Sequence, residues 1–158
     1  MKVMNLTLRQ ARLADAPMLA ILNHELIRAE QSENPMNLAQ LTERMVRFLQ
    51  EQWEAQILLS QGEIVGYALY QTRSNEANPE QLQVYLRQYM IRDAYRRRGY
   101  GRAGIRLLQS NAFPASTELI IDVLESNPEG RRFWASLGFA AYCTTMKLQV
   151  GQALSMER

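Results

Sequence analysis

Cysteine and histidine are scarce in this chain. Its 158 residues include one cysteine, Cys143, and one histidine, His24. A single cysteine excludes an internal disulfide bond, and a structural zinc site usually takes about four such ligands. We therefore expect a protein of a reducing, cytoplasmic compartment that holds no metal ion.

Long apolar runs are missing as well. No stretch approaches the ~20 apolar residues that span a bilayer, and residues 1–5 carry neither a long apolar segment nor a signal cleavage site. Hydrophobic residues make up 47% of the chain, which is ordinary for a globular domain. We expect one domain at residues 5–150, a short C-terminal tail at 151–158, and no membrane partner.

The net charge of +2 is small, but the arginines are unevenly distributed along the chain. Five of them fall close together, at Arg92, Arg96, Arg97, Arg98 and Arg102. Such a run indicates an anionic partner, or else a solvated basic loop. A nucleic-acid-binding domain over residues 92–106 is an alternative, but no recognition motif accompanies the charge, so we expect no nucleic-acid partner.

Hydrophobic periodicity predicts a mixed α/β domain. Alternating or continuous apolar runs indicate strands, and apolar residues three and four apart indicate helices. The predicted strands are Leu6–Gln10, Ala55–Ser60, Ile64–Tyr70, Gln83–Ile91, Leu119–Leu124 and Phe139–Val150, and the predicted helices cover 14–29, Leu38–Trp53, 99–113 and Pro128–Leu137. The strand–helix–strand unit from Gln83 to Leu124 predicts two parallel strands with a right-handed crossover.

Two glycines, Gly99 and Gly101, lie where a predicted strand leads into a predicted helix. Glycine allows a sharp turn and a close approach of the backbone to a ligand. The first N–H groups of a helix have no partner within the helix, and together with the helix dipole they bind phosphate. Arginines on the same turn add charge-assisted hydrogen bonds, so we expect a phosphate site here.

The same residues also match the Gly-x-Gly-x-x-Gly fingerprint of dinucleotide-binding folds, with Gly104 as the third glycine and Asp122 or Glu125 as the acid that follows. In that fold the strand leads almost directly into the first glycine, whereas residues 92–98 intervene here. Too few residues follow Gly104 for the rest of a doubly wound sheet. A nicotinamide enzyme is therefore the weaker interpretation.

Two segments resemble the GNAT superfamily of N-acetyltransferases. Residues 96–103 resemble its Gln/Arg-x-x-Gly-x-Gly/Ala signature, and residues 127–139 resemble its Asn-x-x-Ala-x-x-Phe-Tyr-x-x-x-Gly-Phe segment. The order of predicted elements from Leu6 to Val150 agrees. The resemblance implies a mixed twisted sheet of about six to seven strands, with two parallel central strands splayed into a wedge and helices on both faces.

The resemblance also implies that acetyl-coenzyme A enters this wedge as a co-substrate. Its pyrophosphate would lie on the backbone of the glycine turn, and its pantetheine arm would pair with backbone at the end of the central strand. The residues assigned to the cofactor are Ile91, Arg96, Arg97, Arg98, Gly99, Tyr100, Gly101, Arg102, Ala103, Asn127 and Phe133. Asn127 would in addition cap the helix that begins at Pro128.

The implied activity is transfer of an acetyl group to a primary amine of a small molecule or peptide, by direct attack in a ternary complex. The family takes the donor for the developing oxyanion from backbone N–H on the central strand, which is Tyr89 or Met90 here. The alternative is an acyl-coenzyme A sensor of the same fold without turnover. The acceptor, the acyl length and the oligomeric state, a homodimer included, stay open.

The usual catalytic side chains of the family are replaced in this chain. Tyr85 stands where some members carry a glutamate base, and Trp134 stands where many carry a tyrosine acid. We therefore hypothesise that the base is Glu25, Glu30 or Glu33, acting directly or through water; a water relay without a dedicated base is the alternative. The candidate acids are Tyr85, Tyr89 and Tyr142. Arg87, on the same predicted strand face as Tyr85 and Tyr89, is a candidate for binding a carboxylate on the acceptor.

Overall fold

The fold is a five-stranded mixed sheet between two layers of helices, in a computed structural model that describes residues 5–151. The strands are β1 (Leu6–Gln10), β2 (Glu54–Ser60), β3 (Glu63–Ser74), β4 (Leu82–Ile91) and β5 (Glu118–Ile120). The helices are α1 (Ala16–Ala29), α2 (Leu38–Gln50), α3 (Tyr100–Asn111) and α4 (Pro128–Ser136). The mixed sheet confirms the predicted fold class, with a strand number slightly below the prediction.

The strands lie in the order β1-β2-β3-β4-β5. The pairs β1–β2, β2–β3 and β3–β4 are antiparallel, and β5 is parallel to β4, as the crossover through α3 requires. One face of the sheet packs on α1 and α2 through a core that includes Leu19, Met45 and Tyr67. The other face packs on α3 and on the aromatic residues of α4. The predicted helices on both faces are therefore present.

Local sequence sets the ends of two helices. Asn37 accepts a hydrogen bond from the backbone N–H of Gln40 at 2.9 Å, and the Gln40 side chain accepts from the N–H of Asn37 at 2.8 Å. This reciprocal capping box satisfies backbone donors at the start of α2 that would otherwise lack partners. Asn127 caps α4 in a similar way, by accepting from the N–H of Gly130 at 3.0 Å ahead of Pro128.

The two parallel strands separate early. Their pairing ends at Tyr85 and Ile120, which leaves the second half of β4 without β5 beside it. The predicted strand Leu119–Leu124 is accordingly shorter and shifted, because the chain turns away after Ile120. The result is the predicted wedge, although β5 is the edge strand of the described sheet and not a central one.

An extra residue in β4 changes which way its side chains point. Leu69 pairs with Gln88 and Tyr70 pairs with Leu86, so Arg87 is left out of the ladder as a β-bulge. One extra residue reverses the alternation of side chains after it. The prediction that Tyr85, Arg87 and Tyr89 share one face is therefore wrong. Tyr85 and Arg87 face the α2 side, and Tyr89 faces α3.

The predicted last strand, Phe139–Val150, does not form. Its apolar residues alternate as a strand requires, but an isolated strand gains no ladder hydrogen bonds, and residues 140–150 have no regular structure in the described part of the chain. Tyr142 is 97% exposed, Met146 88% and Val150 89%. Of the predicted tail, residues 152–158 lie outside the described residues.

Candidate active site

The glycine turn adopts the geometry that a phosphate site needs. Between β4 and α3 the chain makes a short 3₁₀ turn at Asp93–Tyr95, and the Nε of Arg96 donates to the carbonyl oxygen of Ile91 at 2.8 Å. Gly99 then takes φ +85°, a left-handed conformation that favours glycine, and α3 begins at the next residue. The unpaired N–H groups of the first turn of α3 are thereby directed out of the helix beside the arginines.

The other two glycines of this segment allow close packing. A Cβ on Gly101 would lie 3.0 Å from Cε1 of Phe133, so α4 can pack against the start of α3. A Cβ on Gly104 would collide with the hydroxyl group of Tyr89 and lie 2.7 Å from Cδ2 of Leu58. All three glycines of the fingerprint thus have a structural cause in this fold, which differs from the dinucleotide interpretation.

A cavity of about 410 Å³ lies within the wedge. Four parts of the chain line it: the end of α1, the end of β4, the glycine turn, and α4. Most residues predicted to contact the cofactor lie in its wall, namely Ile91, Arg96, Arg97, Gly99, Gly101, Arg102, Asn127 and Phe133. The cavity therefore brings the two segments of the resemblance together in space.

Three residues of the predicted set are placed differently. Arg98 stacks on the ring of Tyr100, with its Cζ 5.6 Å from the ring centroid. The hydroxyl of Tyr100 lies 3.3 Å from Oγ of Ser60, on the β2 side of the turn. Ala103 lies within α3, where its N–H donates to the carbonyl oxygen of Gly99 at 3.1 Å. Their side chains support the turn and do not face the cavity.

Two contacts hold the walls of the cavity together. Arg97 and Glu129 form an ion pair at 3.7 Å between the glycine turn and α4, and both side chains are largely exposed. The hydroxyl of Ser126 donates to the backbone carbonyl oxygen of Glu30 at 3.0 Å. The second bond joins the end of α1 to the segment that precedes α4.

Glu30 is the one candidate base that lines this cavity together with Met90. Burial raises the pKa of its carboxyl group above the ordinary value of 4.5. Glu25 instead pairs with Arg92 at 3.4 Å beside an adjoining cavity of about 770 Å³. Glu33 is exposed and pairs with Lys147 at 3.0 Å. The structure therefore distinguishes Glu30, which lines the cavity, from Glu25 and Glu33, which form ion pairs elsewhere.

The three tyrosines that are candidate acids lie in different environments. The hydroxyl of Tyr89 donates to the carbonyl oxygen of Gly101 at 2.7 Å, and burial raises the pKa of this phenol. Tyr85 lies on the opposite face, where its hydroxyl donates to Oδ2 of Asp122 at 2.5 Å. Burial first and this hydrogen bond second raise the pKa of Tyr85 to about 12. Tyr142 is exposed and away from the described cavity walls.

Trp134 is part of an aromatic wall. Its ring lies 5.7 Å from Tyr89, 4.9 Å from Phe133 and 5.2 Å from Phe139, measured between ring centroids. Aromatic pairs at such distances and tilts stabilise a core by about 0.5–1.5 kcal/mol each. Trp134 therefore supplies packing beside the cavity, and its indole offers no acidic proton.

A buried polar network on the α1 side was not predicted. The hydroxyl of Tyr67 donates to Oε1 of Gln88 at 2.8 Å, and a guanidinium nitrogen of Arg44 donates to Oδ1 of Asn23 at 2.9 Å. Burial first and Glu30 second raise the pKa of Tyr67, whereas Arg44 opposes the shift. Asn23 within the apolar stripe of α1 was the sequence signal for such a network.

No helix within residues 5–151 is long and apolar enough to cross a membrane. In the same described range, no group of three or more histidine, cysteine, aspartate or glutamate side chains is arranged to hold a metal ion. His24 is exposed on α1.

Solved structures with this fold are numerous. The structure of a ribosomal-protein-alanine N-acetyltransferase from Brucella melitensis biovar Abortus 2308 is similar, with a TM-score of 0.73 and 17% identity over 91% of this chain and 99% of that one. A predicted acetyltransferase with acetyl-CoA from Clostridium acetobutylicum has a TM-score of 0.70 and 15% identity over 92% and 96%. An aminoglycoside N-acetyltransferase in complex with CoA has a TM-score of 0.70 and 15% identity over 96% and 98%.

No curated protein matches the sequence at a significant level. At identities this low, the structural likeness shows the fold alone. The sequence model of the acetyltransferase (GNAT) family, however, matches residues 22–139, which is most of the chain. The resemblance carried by the glycine turn and the Asn127 segment is thereby confirmed, and the chain belongs to the GNAT family of acetyltransferases.

Proposed function

We propose that this protein transfers an acetyl group from acetyl-CoA to a primary amine by direct attack within a ternary complex. One observation carries the proposal. A single cavity joins the glycine turn, with its arginines, to Glu30 and Met90. An anion-binding end and a carboxyl group of raised pKa therefore face the same space, as transfer from a coenzyme A thioester to an amine requires.

The residues present fit acetyl-CoA. The N-terminus of α3 with Arg96, Arg97 and Arg102 would hold the pyrophosphate, and the open side of β4 near Ile91 would pair with the amides of the pantetheine arm. Asn127 and Phe133 would line the arm from α4. When bound, acetyl-CoA would supply the thioester carbonyl that the amine attacks.

The backbone of β4 would stabilise the transition state. Because pairing with β5 ends at Tyr85, the later N–H groups of β4 that point to that edge would be available to the developing oxyanion. The N–H of Arg92 donates to the carbonyl oxygen of Val65 on β3, and N–H groups alternate between the two edges of a strand, so the N–H of Met90 points to β3 and that of Tyr89 points to the open edge. Of the two candidates, Tyr89 is therefore the donor in this proposal. Removal of one such donor in other enzymes costs roughly a hundredfold to a thousandfold in kcat.

Glu30 would act as the general base, directly or through water. A lysine-like amine with a pKa of ~10.4 costs about 4.6 kcal/mol to deprotonate at pH 7. A base lowers this cost by taking the proton during attack, and a carboxylate does so better when its pKa lies closer to the working pH. Burial moves the pKa of Glu30 in that direction.

A dedicated acid is dispensable in this mechanism. The leaving group is a thiolate, and an alkyl thiol has a pKa of ~8.5, so its anion leaves readily near neutral pH. Tyr89 directs its proton to the carbonyl oxygen of Gly101, and Trp134 has no acidic proton. The absence of the family's tyrosine at position 134 is therefore compatible with turnover.

The acceptor is proposed to be a small molecule or peptide amine, and the reaction to take place in the cytoplasm. Similar structures include a ribosomal-protein-alanine N-acetyltransferase and an aminoglycoside acetyltransferase, which represent peptide and small-molecule acceptors respectively. The second candidate is an acyl-CoA sensor without turnover. The packing of Trp134 at the back of the wedge favours it, since the usual acid is replaced by a wall.

Two measurements on the same protein test the proposal. Calorimetric titration with acetyl-CoA is expected to show binding, and a thiol-release assay over amino acids, polyamines, aminoglycosides and peptide amines is expected to show turnover. Glu30→Gln should lower kcat/KM roughly a hundredfold or more, whereas Glu33→Gln, an exposed control, should leave it unchanged. Binding without release for every amine would favour the sensor, and absence of binding would overturn both.

A further inference from the structure

Residues 140–150 form an exposed segment that has the sequence pattern of a strand. Every residue in it is exposed. Its large apolar side chains, Tyr142, Met146, Leu148 and Val150, occupy even positions, whereas Lys147 and most of the polar residues occupy odd ones. Successive side chains of a strand point to opposite faces, so the extended segment would carry its large apolar groups on one face. We call residues 140–150 the strand-like segment.

The strand-like segment is held away from the body of its own molecule. At its start, the ring of Phe139 packs on that of Trp134, with the ring centroids 5.2 Å apart. Further along, Lys147 pairs with Glu33 at 3.0 Å, and both of these side chains are largely exposed. Within the described residues 5–151, no strand of the sheet pairs with the segment. Its backbone groups and its apolar face are therefore left to water in the single chain.

The outer edge of β5 offers a complementary surface. In the sheet formed by the described residues, β5 is the last strand and pairs with β4 alone. Residues 119–124 are apolar except for Asp122, yet none of them is buried, and Leu124 is 43% exposed. A nearly continuous apolar run is typical of a strand that is covered on both faces. Because an open strand edge is also a template for pairing with another strand, this surface lacks a partner.

We infer that the protein forms a dimer in which the strand-like segment of each copy adds to the edge of β5 in the other copy. Both surfaces belong to the same chain, so a two-fold axis lets each copy give one segment and accept one. When an extended segment adds to a sheet edge, backbone hydrogen bonds supply affinity and alternate side chains supply specificity. The apolar face of the segment would cover residues 119–124. The inference is independent of the proposed transfer chemistry.

The size and charge of the two surfaces fit this exchange. Each copy would contribute the strand-like segment together with residues 118–125 and their neighbours, which approaches the ~20–30 residues that a stable interface takes from each partner. When extended, the segment would span roughly 35 Å, which is longer than the edge that it covers. Lys147 is the one charged residue of the segment, whereas residues 118–125 carry three acids and no base. Charges of opposite sign would therefore approach each other in the dimer.

The molecular mass in solution tests the dimer. Light scattering after size-exclusion chromatography is expected to give twice the mass of one chain for the wild type. Met146→Asp and Leu148→Asp place a charge on the apolar face and should weaken the dimer roughly tenfold or more. Ile21→Asp, at an exposed apolar position of α1, is the matched control and should leave the mass unchanged. A wild type that is monomeric at every concentration, or a dimer that both segment variants leave intact, would overturn the inference.

Chemical cross-linking identifies the surface that the segment contacts. Cys143 lies within the segment, is exposed and is the one cysteine of the chain. One cysteine is added near β5 in each of four variants, Glu118→Cys, Asp122→Cys, Val123→Cys and Leu124→Cys, and a short bismaleimide is then applied. We expect covalent dimers on a denaturing gel that disappear when Cys143→Ser is combined with the same change. Cross-linked monomers would instead show that the segment folds onto its own β5. That result, or dimers without any link through Cys143, would contradict the exchange.

Discussion

The hydroxyl group of Tyr89 donates a 2.7 Å hydrogen bond to the carbonyl oxygen of Gly101. This bond joins β4 to the first turn of α3, at the point where the proposed oxyanion donors and the proposed phosphate site meet. Because the phenol is buried and its proton is engaged, Tyr89 positions the turn in our proposal and takes no part in proton transfer.

Replacement of Tyr89 by phenylalanine tests that distinction. Tyr89→Phe is expected to lower the free energy of unfolding by about 1 kcal/mol, because one hydrogen bond is lost and the Gly101 carbonyl is left without it. Urea unfolding and calorimetric titration with acetyl-CoA measure stability and affinity. A variant of full stability that loses the high-pH limb of its kcat profile would instead identify Tyr89 as a catalytic acid.

A Cβ at position 104 would meet the same hydroxyl group. Gly104→Ala should destabilise the protein by about 1–3 kcal/mol, as overpacking usually does, although alanine is the better helix former. The double variant Tyr89→Phe/Gly104→Ala should be less unstable than the sum of the two single changes, since the collision with oxygen is removed. Additive losses in urea unfolding would show that the remaining contact with Leu58 dominates.

Gly99 offers a test of the phosphate site with a built-in control. Gly99 and Gly138 both have positive φ, +85° and +101°, so alanine at either position should cost about 1–2 kcal/mol of stability. Gly99→Ala should in addition weaken acetyl-CoA binding, because the N–H groups of the turn would shift. Gly138→Ala should leave binding unchanged. A similar loss of affinity in both variants would trace the effect to stability alone.

Glu30 should give the protein a distinct dependence on pH. Its pKa in the folded state is raised, so wild-type activity relative to Glu30→Gln should increase as the pH rises above 4.5 and the carboxylate forms. A raised carboxyl pKa also means that the folded state is stabilised at low pH and loses this contribution as the pH rises through the folded-state pKa.

The pH dependence of the free energy of unfolding therefore provides a second test of Glu30, beside the activity measurement. Glu30→Gln should be more resistant to urea than the wild type near neutral pH, and the difference should shrink towards acidic pH. The exposed variant Glu33→Gln should show neither effect. Equal stability of Glu30→Gln and wild type across the whole range would indicate that Glu30 is hydrated and unperturbed.

The regular elements and the glycine turn were predictable because their signals are local. Periodicity located the helices, and the residues around Gly99 and Asn127 determine their own backbone conformations. The face of β4 was not predictable, because the bulge at Arg87 involves no glycine and depends on pairing with β3. The segment after Phe139 has the alternation of a strand, but whether a strand forms depends on a partner that its own sequence does not specify.

The residues that we propose for catalysis could be narrowed from the sequence only to a short list. Position along the chain left Glu25, Glu30 and Glu33 equivalent, and only the end of α1 over the wedge distinguishes Glu30 from the other two. Arg87 was singled out from the sequence, whereas Arg44 was not, because its neighbours on β4 lie far away in sequence. Which glutamate lines the cavity, and which residues of α2 contact β4, depends on contacts between distant segments, and a single sequence does not show these contacts.

The bulge at Arg87 allows the two halves of β4 to present alternate side chains to different faces of the sheet. Loss of Arg87 itself would remove the bulge and leave Tyr85 and Tyr89 on opposite faces, because three regular steps along a strand give the same result. Gain of one residue in a regular part of β4 would instead move the side chains on one side of the insertion to the other face. β4 should therefore accommodate a one-residue deletion at position 87 and resist a one-residue insertion elsewhere.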